Sequence, residues 1–236
     1  MARANAAYYA THDPYADFTT SPEVTQVFGE LLGAWAAVVW DRMGRPGRVH
    51  LVECGPGRGT LMADALRTIG TVAAPFRAAL SVHLIEASPR LRALQATALP
   101  GAGWHDRIED VPPGPMILLA NEFLDALPIR QFVRRDGAWA ERFVEDGALV
   151  DRPADPRPTD QDGVHEVNEA ACAIVAHVAR RVSQDGGAAL FLDYGPSQSR
   201  PGDSLQALRS GRPADPLADP GTADLTAHVD FGALAR

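Results

Sequence analysis

Val49-His50-Leu51-Val52-Glu53-Cys54-Gly55-Pro56-Gly57-Arg58-Gly59-Thr60 reads as an apolar strand, an acid and three glycines at alternate positions that run into a helix. Gly55, Gly57 and Gly59 permit a tight turn and a close approach of backbone to ligand, while the helix that follows points its free N–H groups the same way. A dinucleotide loop is spaced G-x-G-x-x-G, because its third glycine lets helix and strand pack behind a pyrophosphate. Here the order is Glu-x-Gly-x-Gly-x-Gly, with Glu53 two residues ahead of the first glycine. A carboxylate in that place suits a cation better than a pyrophosphate, and S-adenosylmethionine carries both an ammonium and a sulfonium. An NAD-linked enzyme is disfavoured by the same spacing.

With 236 residues and 46% hydrophobic content the chain can bury a full α/β core, and a single domain over residues 1–236 is the simplest organisation. Its expected parts are an N-terminal helical segment (1–46), a cofactor-binding core (47–128), a β-hairpin insertion with linker (129–163) and a final part (164–236) with a helix, a fifth strand and irregular chain. No window approaches the roughly 18 to 20 apolar residues of a membrane span, and a signal peptide is not recognisable, so the expected compartment is the cytosol. Cys54 and Cys172 fall in a predicted strand and a predicted helix and read as buried thiols. The seven histidines show no ligand spacing, which disfavours a metal, and His50 and His83 read as core or rim residues. A net charge of -8 with scattered arginines argues against nucleic acid.

The first helix is expected to begin at Thr20-Ser21-Pro22-Glu23, through either a Thr20/Glu23 capping box or a Ser21 cap with Pro22 in first position. Val24, Val27, Phe28, Leu31, Leu32, Trp35, Val38 and Val39 give it one apolar stripe. After the glycine loop a helix stops at Gly70, Leu80 to Glu86 forms a second strand, and Ser88-Pro89 opens the next helix. A short strand near Gly103 to His105 precedes the turn Pro112-Pro113-Gly114-Pro115, and Met116 to Ala120 is a fully apolar strand. Ile129 to Val133 and Trp139 to Val144 flank Asp136-Gly137, a hairpin signal, with a third strand near Ala148 to Val150. Asp151 to Gly163 reads as a surface linker, Glu166 to Val182 as a long helix, Ala188 to Asp193 as the fifth parallel strand and Val229 to Ala235 as a short helix. Alternating strands and helices imply a doubly wound α/β sheet, in which ligands bind outside the carboxyl ends of the strands. Glu53, Glu86, Asn121 and Asp193 all fall there.

Glu86 stands where an acid can accept both hydroxyls of a ribose. Asp106 and Ile108, just past the third strand, are placed for an adenine, Ile108 against its face. Asn121-Glu122-Phe123-Leu124-Asp125 is the candidate reaction centre. If it turns helically, Glu122 and Asp125 share a face and can hold a guanidinium by charge-assisted hydrogen bonds. Methyl transfer asks little beyond alignment, because the sulfonium is already activated.

Thr19-Thr20-Ser21-Pro22-Glu23, the Glu53 to Thr60 loop, Asn121 to Phe132, Asp193-Tyr194-Gly195 and Asp224-Leu225-Thr226-Ala227-His228-Val229-Asp230-Phe231 occur in the order seen in MidA-like proteins. The chain resembles that family, which includes a mitochondrial complex I assembly factor that methylates a subunit arginine. The resemblance implies a class I, Rossmann-like methyltransferase fold with strand order 3-2-1-4-5, adenosylmethionine on the glycine loop and Glu86, and an acceptor near Asn121 to Pro128. It also implies a protein arginine as acceptor, in a complex I subunit, and a mitochondrial matrix location if the source is eukaryotic. Compared with the family pattern, the segment from Tyr8-Tyr9 to Asp17-Phe18 is short and part of both ends is missing. A complete sheet of this class adds two strands after the fifth, so Ala188 to Asp193 is expected as an uncovered edge.

Overall fold

A computed structural model describes residues 1–12, 20–157 and 159–236. Thr19 and the Asp17-Phe18 pair lie outside the described residues. The chain divides into two compact units, Thr19–Phe123 with Ala176–Leu192, and Met1–Phe18 with Leu124–Val175 and Asp193–Arg236.

α1 (Ala2–Thr11) opens the chain. Two helices then stand where one was expected, α2 (Ser21–Val24) and α3 (Gln26–Arg42). Thr25 separates them in an extended conformation, and its hydroxyl accepts from the Val27 N–H at 3.3 Å. Its side chain competes for the backbone and restarts the helix. Neither expected cap forms: Thr20 flanks α2 without a side-chain bond, and Glu23 accepts instead from the Thr60 hydroxyl at 2.5 Å.

The predicted apolar stripe meets the core only in part, through Trp35 and Val39. Val24, Val27, Leu31 and Val38 are exposed, and the buried positions are Gly29, Gly33, Ala36 and Trp40. The reason is the approach of α4 (Thr60–Val72). A Cβ at Gly29 would lie 2.7 Å from Asp64 Cβ, and one at Gly33 would lie 2.5 Å from the Ala65 carbonyl oxygen. Small residues bring the two helices to backbone contact, which leaves Val24, Val27, Leu31 and Val38 outside while Trp35, Val39 and Trp40 pack on the core. α4 itself runs through Gly70 to Val72, and a short α5 (Ala74–Ala79) follows that was not foreseen.

β1 (Val49–Cys54), β2 (Leu80–Ile85), β3 (Gly103–His105) and β4 (Met116–Asn121) form as expected, with α6 (Pro89–Ala98) between β2 and β3. Ser88 caps α6, accepting from Leu91 N–H, with Pro89 in the first turn. The apolar strands build the core: Leu51, Leu84, Ile117 and Leu118 are fully buried, with Met62, Ile69 and Phe76 packed from the helices.

The hairpin through Asp136-Gly137 joins β5 (Arg130–Arg135) and β6 (Ala138–Glu145), and β7 (Ala148–Pro153) extends it. β8 (Gly163–Val167) pairs antiparallel with β5, giving the order β7-β6-β5-β8. Its residues were assigned to the linker and to the start of the next helix. α7 (Glu169–Asp185) begins later than expected because Asn168 Oδ1 accepts from the Ala171 N–H at 2.8 Å and caps it there.

β9 (Gly187–Leu192) completes a five-stranded parallel sheet of order β3-β2-β1-β4-β9, which is the expected 3-2-1-4-5. Met116 N–H donates to Gly186 O at 3.1 Å and Glu122 N–H to Leu192 O at 2.8 Å. By the alternation of a parallel ladder, Gly187, Ala189 and Phe191 turn their amides away from β4, where no strand pairs among the described residues. The chain beyond Asp193, read as irregular, contains a second small sheet of β10 (Gln206–Arg209), β11 (Arg212–Ala214) and β12 (Asp224–Thr226), then α8 (Phe231–Leu234).

His50, His83 and His105 form a ladder across β1, β2 and β3. His50 Nδ1 lies 2.9 Å from His83 Nε2, and His83 Nδ1 lies 2.9 Å from His105 Nε2. His50 Nε2 is 3.3 Å from the Pro113 carbonyl oxygen, which only accepts, so Nε2 carries the proton and every ring in the ladder takes the same tautomer. Burial, with the neighbouring histidines and Arg181 adding to it, pushes the His83 pKa down to about 4.

Candidate functional site

At the carboxyl end of β1 the chain turns through Gly55, Gly57 and Gly59, whose φ angles are 64°, 55° and 85°. A Cβ at Gly55 would stand 2.9 Å from Phe123 Cδ2, so the turn is closed to larger residues both by conformation and by space. Glu53, the last but one residue of β1, is 3% exposed. The backbone N–H of Met62, in the first turn of α4, hydrogen bonds its carboxylate, but Oε2 is buried with no partner. Burial outweighs that bond and pushes the Glu53 pKa up to about 8. An orphaned carboxylate oxygen beside a helix N-terminus fits a site completed by a cationic ligand, and adenosylmethionine meets that description.

Glu86 follows β2 directly and is half-buried. Its Oε1 accepts from the Ser88 N–H at 2.8 Å, and Arg92 holds its backbone carbonyl through Nε at 2.7 Å. Burial raises its pKa against the bonds from Ser88 and Gln95 and the charge of Arg92. Gln95 on α6 was not singled out in the sequence, yet it is 0% exposed and touches both the glycine loop and Glu86. A lone glutamine in a ten-residue helix gives no spacing signal. Asp106 is exposed and ion-paired with Arg92 at 2.6 Å, whereas Ile108, in a short 3-10 turn, is 3% exposed.

β4 delivers Asn121 and Glu122. Asn121 Nδ2 donates to Glu122 Oε1 at 3.3 Å, and Glu122 takes a left-handed backbone with φ 48°. The segment is not a helix: the chain bends at Glu122 and makes a turn in which Leu127 N–H donates to Leu124 O at 3.2 Å. The shared helical face for Glu122 and Asp125 therefore does not form. In the other unit Asp125 is 5% exposed, its N–H donates to Asp193 Oδ2 at 3.3 Å, and the Tyr194 hydroxyl hydrogen bonds its carboxylate. Tyr9 donates to Asp224 Oδ1 at 2.6 Å, and Asn5 donates to Ala126 O at 2.9 Å and Leu225 O at 2.8 Å. These polar residues cluster around Asp125, with Asn5, Asp125 and Asp224 buried and Tyr194 exposed, an arrangement that the sequence did not reveal apart from the Asp193-Tyr194 and Asp224 motifs themselves.

Residues 31–236 match the family Methyltransf_28, described as "Putative S-adenosyl-L-methionine-dependent methyltransferase". The chain belongs to this family. The resemblance read from the motifs is thereby borne out. Among curated relatives of the family's new member, protein arginine methyltransferase NDUFAF7, mitochondrial, from Danio rerio is 37% identical over 97% of this chain and 64% of its own length. The Homo sapiens protein of the same name is 36% identical over 97% of this chain and 61% of its own. The chain thus spans less than two thirds of these relatives. Two crystal structures from Burkholderia thailandensis are similar, each at 26% identity: one bound to S-adenosyl-homocysteine, with TM-score 0.73 over 92% of this chain and 61% of that one, and a native one with TM-score 0.78 over 99% and 68%. Among the described residues no helix is long and apolar enough to cross a membrane, and no group of three metal-ligating side chains converges. Cys54 and Cys172 are free thiols, Cys54 buried and Cys172 half-buried.

Proposed function

We propose that the chain binds S-adenosylmethionine and transfers its methyl group to an arginine of a protein, with a respiratory complex I subunit as the acceptor. The observation that carries the cofactor half is the unpartnered Glu53 carboxylate oxygen beneath the Gly55-Gly57-Gly59 turn. The acceptor half is supported by relatives named protein arginine methyltransferases. Bound adenosylmethionine supplies an electrophilic methyl group. Glu53 supplies negative charge for the cationic end of the cofactor, Glu86 accepts from its ribose hydroxyls, and Asp106 and Ile108 are assigned to its adenine. Glu122 is assigned to the acceptor guanidinium, with Asn121 orienting it through their 3.3 Å bond. Their work is alignment, the main requirement for a displacement at an activated methyl. The compartment that goes with this reading is the cytosol of a bacterium or the mitochondrial matrix of a eukaryote.

Incubation with methyl-labelled adenosylmethionine and cell lysate, followed by mass spectrometry, tests the proposal. Labelled methylarginine in a protein is the expected product, and Glu122→Ala is expected to abolish it while cofactor binding persists. Undiminished transfer by Glu122→Ala would remove Glu122 from the acceptor site. Label confined to low-mass products would point to a small-molecule methyltransferase, and cofactor binding without any transfer would point to a non-catalytic assembly module.

A further inference from the structure

The two halves of the candidate cofactor site, the glycine loop and Glu86, are joined by one side chain. Gln95 is 0% exposed on the buried face of α6. Its Nε2 donates to the Gly57 carbonyl oxygen at 2.7 Å and to Glu86 Oε2 at 3.3 Å, and its Oε1 accepts from Trp104 Nε1 at 2.9 Å. An indole nitrogen can only donate, so the carboxamide has one orientation: oxygen to Trp104, both N–H bonds to the site. Trp104 lies on β3 in register with Leu84 of β2, which anchors the oxygen end to the sheet. The carbonyl that Gln95 grips belongs to a glycine in the left-handed conformation, with φ 55°, at the middle of the loop.

We propose that Gln95 is a positioning residue that holds the Gly57 carbonyl and the Glu86 carboxylate in fixed relation, and thereby sets the affinity of the site for adenosylmethionine. The inference rests on the cofactor reading above and extends it to a residue that need not touch the ligand. A donor aimed at Glu86 also favours its charged form, the form that accepts two ribose hydroxyls. Replacing Gln95 by leucine keeps most of the volume and removes three hydrogen bonds, leaving the Gly57 carbonyl and the Trp104 N–H without partners. Replacing Trp104 by phenylalanine keeps the ring and removes only the bond that fixes the amide.

The test combines calorimetric titration of S-adenosylmethionine with carbon-13 NMR titration of the Glu86 carboxylate in the ligand-free chain. Gln95→Leu is expected to bind the cofactor on the order of tenfold more weakly than wild type. Its Glu86 is expected to titrate at a higher pH. Trp104→Phe is expected to move both readouts in the same direction by less, and it carries the test if Gln95→Leu fails to fold. A general loss of packing would weaken binding without moving the Glu86 midpoint in the ligand-free chain. Folded variants with unchanged affinity and an unchanged Glu86 midpoint would overturn the role of Gln95 alone. A wild-type chain that binds no adenosylmethionine would overturn the cofactor reading and this role with it.

Discussion

The proposed cofactor role of Glu53 predicts that adenosylmethionine binding is coupled to a proton. Its carboxyl group is buried, one oxygen has no partner, and its pKa stands at about 8 against an ordinary 4.5. At pH 7 roughly nine-tenths of the molecules therefore carry a proton there. Folding raises this pKa, so the stability it contributes is fully present below pH 4.5 and is lost as pH rises through about 8. A difference of 3.5 between 4.5 and 8, at about 1.4 kcal/mol per unit, makes the buried charge cost about 5 kcal/mol above pH 8. A cationic ligand relieves that cost by pairing with the carboxylate, which must first ionise. Adenosylmethionine binding at pH 7 is thus expected to release about 0.9 proton, and its affinity to rise about tenfold from pH 6 to pH 7 before levelling above pH 8. Calorimetry in buffers of different ionisation enthalpy measures the proton count directly. Glu53→Gln, a neutral group of the same shape, should abolish both the buffer dependence and most of the pH dependence. S-adenosyl-homocysteine lacks the sulfonium but keeps the ammonium, so proton release with it as well assigns the charge to the ammonium. Tight binding by the wild-type chain with an enthalpy independent of buffer would refute the reasoning.

Two further outcomes follow from packing and from the histidine ladder. Gly33→Ala should destabilise by about 1 to 3 kcal/mol in a denaturant titration, because the added methyl meets the Ala65 carbonyl oxygen at 2.5 Å; a gain of stability, the ordinary result of Gly→Ala inside a helix, would refute the close crossing of α3 and α4. His83 has a lowered pKa of about 4, so its contribution is fully present above about 6.5 and lost as pH falls through 4. Urea titrations at pH 7 and pH 4.5 should differ by about 1 to 2 kcal/mol more in the wild type than in His83→Gln, and equal differences would dismiss the ladder as a source of acid sensitivity.

The sheet was legible because its strands are short apolar runs: β1, β2 and β4 end within a residue of the expected Val49 to Cys54, Leu80 to Glu86 and Met116 to Ala120. The turn after β1 was legible because three glycines at alternate positions mark a backbone that takes left-handed conformations, as Gly55, Gly57 and Gly59 do. α3 misled because hydrophobicity marks large side chains, whereas the crossing with α4 is made by Gly29, Gly33 and Ala36, which carry little apolar signal. β8 and β10 to β12 escaped notice because their strands have three to five residues and few apolar runs, and because β8 and β12 pair with strands distant in sequence. Glu122 and Asp125 were paired by a helical spacing that the left-handed backbone at Glu122 interrupts. Gln95 and Asn5 act through the hydrogen bonds of a single buried amide, and such a role has no periodicity to read.

The imidazole ladder constrains the sheet in a way that its backbone bonds do not. Backbone pairing between parallel strands is indifferent to which residues face each other, so a strand displaced by two positions can keep its hydrogen bonds and its inward face. His83 reaches His50 on one side and His105 on the other only in the present alignment, Val52 beside His83 and Ile85 beside His105. The ladder acts as a vernier: one slip on either side breaks a link, and the strands that carry Glu53 and lead into Glu86 are thereby indexed to each other well below the loops they support.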